Sequence, residues 1–316
     1  MNRENMENKE VRTKLEGTKE TGKAGETRKT EKPGEDGETR KTEKPGEDGE
    51  TRKTEKIRKT EGVEEAKKED RAGSKGTAVR ISRRLKAVAG FVRPGSRIAD
   101  IGTDHGYVPI YLAEQGRIGS ALAMDVRPGP LERAKEHIRE YEAYCKHPIS
   151  ITARLSDGLQ KLSPGEADTV IIAGMGGELV IRILKEGRHV WSSVDHYILS
   201  PQSDLDKVRR FLAESGFVIR DETMVQEDGK YYTIMSVGRG QMRYDSQVQY
   251  LYGKILMEKK DTVLQEYLEK ERRRIYGILE GLKAGDLSCE TPAKKEARRE
   301  RMEELGWIEE AQNEMQ

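Results

Sequence analysis

Along the chain the apolar positions fall into three regimes. Residues 1–76 hold almost none. From 77 to 240, short apolar runs alternate with stretches of helical spacing, and beyond 241 the helical spacing continues alone. In the middle regime, 79–92 reads as an amphipathic helix, with Ile81, Leu85, Val88, Ala89 and Val92 on one face and Arg80, Arg83, Arg84 and Lys86 on the other. Strands are predicted at 97–101, 120–126, 150–155, 168–173 and 197–200. The fourth is near-continuously apolar, as a strand buried on both faces requires. Helices are predicted between them at 107–115, 131–144, 179–185 and 205–214, the last closed by Gly216. The runs 217–225 and 231–237 should pair as a hairpin across Glu227-Asp228-Gly229. Strands alternating with helices predict an α/β fold with a mostly parallel sheet.

In the third regime Tyr244, Val248, Leu251 and Ile255 begin a helical stripe that Leu264, Leu268, Ile275, Leu279 and Leu282 continue until Gly285. Thr291-Pro292 starts a second helix, with Thr as cap and Pro at the first position, and Ala297, Leu305 and Ile308 on its stripe. Two such helices predict an antiparallel coiled-coil hairpin. The clusters Arg272-Arg273-Arg274 and 294–301 sit among acidic neighbours. They fit a solvated surface, or one basic edge that grips an RNA backbone. The first regime repeats the unit ETRKTEKPGEDG about every 12 residues. With no apolar residue to bury, it predicts a disordered, solvated tail. The expected division is therefore a tail at 1–76, a sheet domain at 77–240 and a helical domain at 241–316.

Composition narrows the picture. The net charge is +1, so no global polyelectrolyte argument applies. The two cysteines, Cys145 and Cys289, form no ligand cluster; they fit a reducing compartment and imply no metal site. No apolar run of about 18 residues occurs, and no export signal, so the expectation is a cytoplasmic protein that does not enter a membrane.

The chemistry gathers where the first strand ends, at Asp100-Ile101-Gly102-Thr103-Asp104-His105-Gly106. A dinucleotide-binding loop would need glycines at 104 and 107; Asp104 and Tyr107 stand there, and a carboxylate would repel a pyrophosphate. S-adenosylmethionine has no phosphate and carries a cationic sulfonium and ammonium, which suit Asp100 and Asp104. Both aspartates equally fit helix capping or turn formation. Asp125, followed by Val126, ends the second strand about 20 residues beyond the loop, where a carboxylate accepts from ribose hydroxyls. Asp157-Gly158 follows the third strand and fits either an acceptor for an adenine amine or an ordinary turn. Ala173-Gly174-Met175-Gly176-Gly177 closes the fourth strand and leaves room for a flat ligand against bare backbone. Pro201-Gln202 closes the fifth.

Taken together, Ser82-Arg83-Arg84-Leu85, the run 99–109, Asp157-Gly158-Leu159, 172–177, Pro201-Gln202 and 227–232 resemble the bacterial tRNA (adenine-22) N1-methyltransferase family. The resemblance covers roughly 78–316 and leaves out the repeat tail. It implies a Rossmann-like class I methyltransferase sheet with a C-terminal coiled-coil hairpin, S-adenosylmethionine as cofactor and tRNA as partner, in a chain expected to be a monomer. Under it, Asp104, Arg84 and Tyr107 are the expected catalytic residues. Asp100, Gly102, Asp104, His105, Gly106, Asp125, Val126, Asp157, Gly158, Ala173 and Gly174 would hold the cofactor. Met175, Gly176, Gly177, Pro201 and Gln202 would form the base pocket. Met175 and Tyr107 fit the core equally well, and His105 fits a structural turn. The competing functions are methyl transfer to another substrate and non-catalytic RNA binding on the same fold.

Overall fold

Seven strands build one sheet: β1 (Ser96–Ile101), β2 (Ile118–Asp125), β3 (Ile151–Leu155), β4 (Thr169–Met175), β5 (His196–Pro201), β6 (Phe217–Glu227) and β7 (Lys230–Arg239). Their order is β3-β2-β1-β4-β5-β7-β6. β1 to β5 pair in parallel, whereas β7 runs antiparallel to both β5 and β6. This computed structural model describes residues 78–283 and 291–316; the repeat tail, Gly285 and Cys289 lie outside the described residues.

β4 shows why the sheet sits at the centre. Val170 and Ile172 face one apolar layer, with Val180, Leu184 and Phe211, while Ile171 faces the other, with Val88, Ile110, Leu112 and Ile138. Both layers are supplied by helices: α1 (Arg83–Gly90), α2 (Tyr107–Glu114), α3 (Pro128–Tyr144), α4 (Gly177–Glu186) and α5 (Leu205–Glu214). The chain winds outward from β1 in one direction through β2 and β3, and in the other from β4. The switch point between β1 and β4 opens a crevice at their carboxyl ends.

Two predicted elements differ. The first helix begins at Arg83 rather than Val79, because the Ser82 hydroxyl accepts from Leu85 N at 3.3 Å and caps it there. Val79 instead donates its backbone N–H to the Glu114 carboxylate at 3.0 and 3.2 Å. The C-terminal stripe is not one helix up to residue 282. It breaks into a π turn (Gln249–Gly253), α6 (Lys254–Glu258) and α7 (Thr262–Lys283). The second break falls at Lys260 (φ 52°), where Asp261 caps α7 by accepting from Val263 and Leu264 N; the π turn lies against the fully buried Arg209, which pairs with the equally buried Glu222 at 3.0 Å. Its remaining N–H groups donate to the carbonyls of Tyr250 and Leu251 at 2.7 and 3.0 Å. Both carbonyls lie in the π turn, and Gly253 (φ +100°) passes so close that a Cβ would lie 2.7 Å from Arg209 Nη2 and Glu222 Oε2.

The last helix, α8 (Pro292–Glu314), begins as predicted, with Thr291 Oγ1 accepting from Lys294 N. It runs antiparallel to α7: Lys260 bonds the carbonyl of Gln316, and Arg274 pairs with Glu304 at 3.1 Å. Leu264, Leu268, Ile275, Leu279, Ile308 and Ala311 share one apolar cluster between the helices and β6.

Candidate active site

The crevice at the switch point is a cleft of about 440 Å³. Its floor is the β1 loop. Gly102 and Thr103 donate their N–H groups to the carbonyl of Met124 at 2.7 and 2.9 Å, which bends the chain across the end of β2. Gly102 has φ +74°, and a Cβ there would lie 2.0 Å from Met175 Cε. Glycine is therefore needed twice over, once for the backbone and once for the methionine that crosses it.

Four carboxylates line the cleft, from Asp100, Asp104, Asp125 and Asp157. Asp100 is buried, which raises its pKa from 3.8 to about 6; the Thr103 side chain opposes the rise and the neighbouring Asp125 carboxylate adds to it. Asp104 is exposed at the mouth, 3.4 Å from His105 Nε2 and 3.8 Å from Arg133. Asp125 is buried, and one of its oxygens accepts the backbone N–H of Arg127 at 2.7 Å. Asp157 is held by both guanidinium nitrogens of Arg182, at 3.0 and 3.2 Å.

The opposite wall carries Arg84, Gly174 and Gln202. A Cβ on Gly174 (φ +80°) would lie 3.6 Å from Arg84 Nη1 and 4.0 Å from Gln202 Nε2. Arg84 stands over the ring of Tyr232 at 5.1 Å, and its buried Nη1 has no hydrogen-bond partner among the described residues. Tyr107, Val126, Gly158, Ala173 and Met175 complete the predicted residues that reach the cleft.

Five predicted residues lie outside this lining. His105, in left-handed backbone (φ 64°), stacks its ring on Tyr107 and His137 at centroid distances of 5.2 and 5.5 Å. Burial lowers its pKa, against the opposing pull of Asp104, and its ring packs within the loop. Gly106 (φ +71°) caps α2, and a Cβ there would touch Ala134 of α3. Gly176 and Gly177 make room for the next loop; a Cβ on Gly177 would lie 2.4 Å from the carbonyl of Ser203. Pro201 is buried as the last residue of β5 and pairs with Met175.

Sequence reasoning missed Leu85, Ile101, Val108, Arg127, Ser156, Leu179, Arg182 and Ile183 in the lining. Leu179, Arg182 and Ile183 belong to α4, where their spacing is that of any helix packed on a sheet. For Arg182 the one usable signal was an arginine one turn before Glu186 on a helix that follows a glycine-rich strand end.

The donor set fits S-adenosylmethionine. Asp100, Asp104 and Asp125 offer carboxylates to a cationic ligand, and glycine backbone at 102 and 174 leaves space that a Cβ would fill. A parallel sheet with one antiparallel strand, β7, inserted next to the edge strand β6, and a carboxylate-lined crevice at its switch point, define a class I, Rossmann-type methyltransferase. A family model described as a methyltransferase domain matches residues 81–235. The chain is 30% identical over 232 residues to the tRNA (adenine(22)-N(1))-methyltransferase of Bacillus subtilis, covering 72% of this chain and 96% of that one. This chain belongs to the tRNA (adenine(22)-N(1))-methyltransferase family. It is similar to the solved B. subtilis m1A22 tRNA methyltransferase TrmK, with TM-score 0.63 and 28% identity over 74% of this chain and 99% of that one. It is also similar to a candidate tRNA (m1A22) methyltransferase of Streptococcus pneumoniae solved with S-adenosyl-L-methionine, with TM-score 0.62 and 33% identity over 73% and 99%.

Proposed function

We infer that this chain transfers a methyl group from S-adenosylmethionine to N1 of the adenine at position 22 of tRNA. The observation that carries the reading is the acidic cleft at the switch point of a chain whose relative has that activity by name. When bound, the cofactor supplies an electrophilic methyl on a positively charged sulfur.

Within this reading Asp100 and Asp104 face the cationic centre, and Asp125 accepts from the ribose with the oxygen that Arg127 leaves open. Asp157, already paired with Arg182, closes the adenine end rather than serving as a lone acceptor. Val126 and Leu179 are apolar yet exposed in the lining, and a purine ring would cover them. The target base presents its Watson–Crick edge only when unpaired, so it enters extruded from the RNA. Met175, Gln202 and Tyr107 form the wall that receives it, and Arg84 holds the polar side of the same pocket. Adenine N1 has its own lone pair, so the residues contribute chiefly by positioning and by managing the charge of the product base.

On the RNA side, the helices supply less free basic surface than their sequence suggests. Arg272 and Arg273 are both engaged by Glu269, and Arg274 by Glu271 and Glu304. On α8, Lys295 and Arg298 lie beside the exposed Met302 and Glu303, while Arg299 pairs with Glu296 at 2.5 Å; Lys295 is the residue there that best supports an RNA contact. Incubation of unmodified tRNA with the protein and S-adenosylmethionine, followed by nucleoside mass spectrometry, tests the reading. One 1-methyladenosine per substrate tRNA is expected; methylation of another base or of no RNA overturns it.

A further inference from the structure

The motif 227–232 has no role in the chemistry above, yet it touches both the cleft and the C-terminal helices. The hairpin turns at Asp228 (φ 49°) and Gly229 (φ 75°). On one side, Glu227 Oε1 accepts the backbone N–H groups of Arg83 at 2.5 Å and Arg84 at 3.4 Å. These are orphan donors at the start of α1, and Ser82 satisfies only the third, that of Leu85. A residue 144 positions away in sequence thus fixes where the Arg84 helix begins. Burial alone would raise the Glu227 pKa, but the Ser82 hydroxyl, the two N–H groups and the Arg84 charge outweigh it and hold it below the ordinary value. Tyr232, three residues beyond Gly229, lies under the Arg84 guanidinium. On the other side, Tyr231 meets Tyr267 of α7 edge-on at 5.2 Å. Lys270 of α7 stands over the Tyr231 ring at 5.0 Å and donates to the carbonyl of Gly229 at 3.4 Å.

We propose that this hairpin couples the C-terminal helices to the cleft, with Glu227 as a positioning residue that acts through Arg84 and Lys270 as its counterpart on the RNA side. Adjacent side chains of one strand, Tyr231 and Tyr232, point to opposite faces of the sheet, so a single strand end engages α7 with one ring and Arg84 with the other. A displacement of α7 would pass through Tyr231 and Lys270 to the turn, and through Glu227 to the start of the helix that carries Arg84. The inference rests on the methyl-transfer reading for the meaning of the cleft, but the contacts themselves do not.

A double-mutant cycle in the full-length protein tests it: Glu227→Ala and Lys270→Ala, each alone and combined with Arg84→Ala. Expected are losses of about tenfold in kcat/KM for tRNA from each single change, with S-adenosylmethionine affinity by calorimetry held within about twofold. In the Arg84→Ala background each should cost less than about twofold more, because the group they position is gone. Glu227→Gln, which keeps an acceptor oxygen, should recover most of the Glu227→Ala loss. Losses that multiply fully in the Arg84→Ala background overturn the coupling, as does a parallel fall of cofactor affinity and melting temperature. The same cycle on tRNA dissociation constants separates the two inferences: a protein that binds tRNA without methylating it sinks the functional reading and still tests the coupling, and one that binds no tRNA sinks both.

Discussion

Asp100 shows how one residue sets a compromise between folding and binding. Its buried carboxyl titrates at about 6, against 3.8 ordinarily. Between those values the folded chain holds the proton more tightly than the unfolded chain. The stability of the ligand-free protein therefore falls as pH rises from about 4 to about 6. Asp100→Asn removes that loss: the apo protein should gain on the order of 2 kcal/mol at pH 7, read as a higher melting temperature, and bind S-adenosylmethionine at least about tenfold more weakly. Wild-type affinity should likewise drop as pH falls through about 6. Unchanged melting and affinity in the variant would remove Asp100 from the site. Gly102→Ala tests the floor, because the new Cβ meets both Met175 and a positive φ. A loss of at least about 1 kcal/mol by urea denaturation is expected. These residues were legible in sequence because their types, spacing and place after a strand all belong to one loop. Arg182 was not, since on its helix it reads as one solvated charge, and its meaning comes from its ion pair with Asp157, 25 positions away in sequence.

At the scale of elements, the sheet could be read almost strand by strand, because burial on both faces imposes runs of Val and Ile. The break in the C-terminal stripe could not. Its π turn sits on the buried Arg209 of α5, which is paired with Glu222 of β6 and donates to carbonyls about 40 residues later in the chain. Arg209→Met should destabilise the protein by about 3–5 kcal/mol, since it leaves Glu222 buried without its cation. The double change Arg209→Met/Glu222→Leu should recover only part of this, because the carbonyls of Tyr250 and Leu251 still lose their donor. Full recovery in chemical denaturation would show that the carbonyl bonds contribute little.

For the whole molecule, the division of labour follows from charge and topology together. Adenine N1 is reached only when a single base is extruded into the cleft, so the RNA backbone must be held elsewhere. The α8 surface around Lys295 and Arg298 suits that holding. Lys295→Ala should raise KM for tRNA with little change in kcat and lower the salt slope of tRNA binding by about 1, uniformly across tRNA sequences. An unchanged slope would move the RNA contact to another face. The most direct test of the account remains the reaction. Purified protein, unmodified tRNA and S-adenosylmethionine labelled at the methyl should yield labelled 1-methyladenosine at position 22, and replacement of that adenine should abolish the label. Label at another nucleoside, or none in a protein that binds the cofactor, would contradict it.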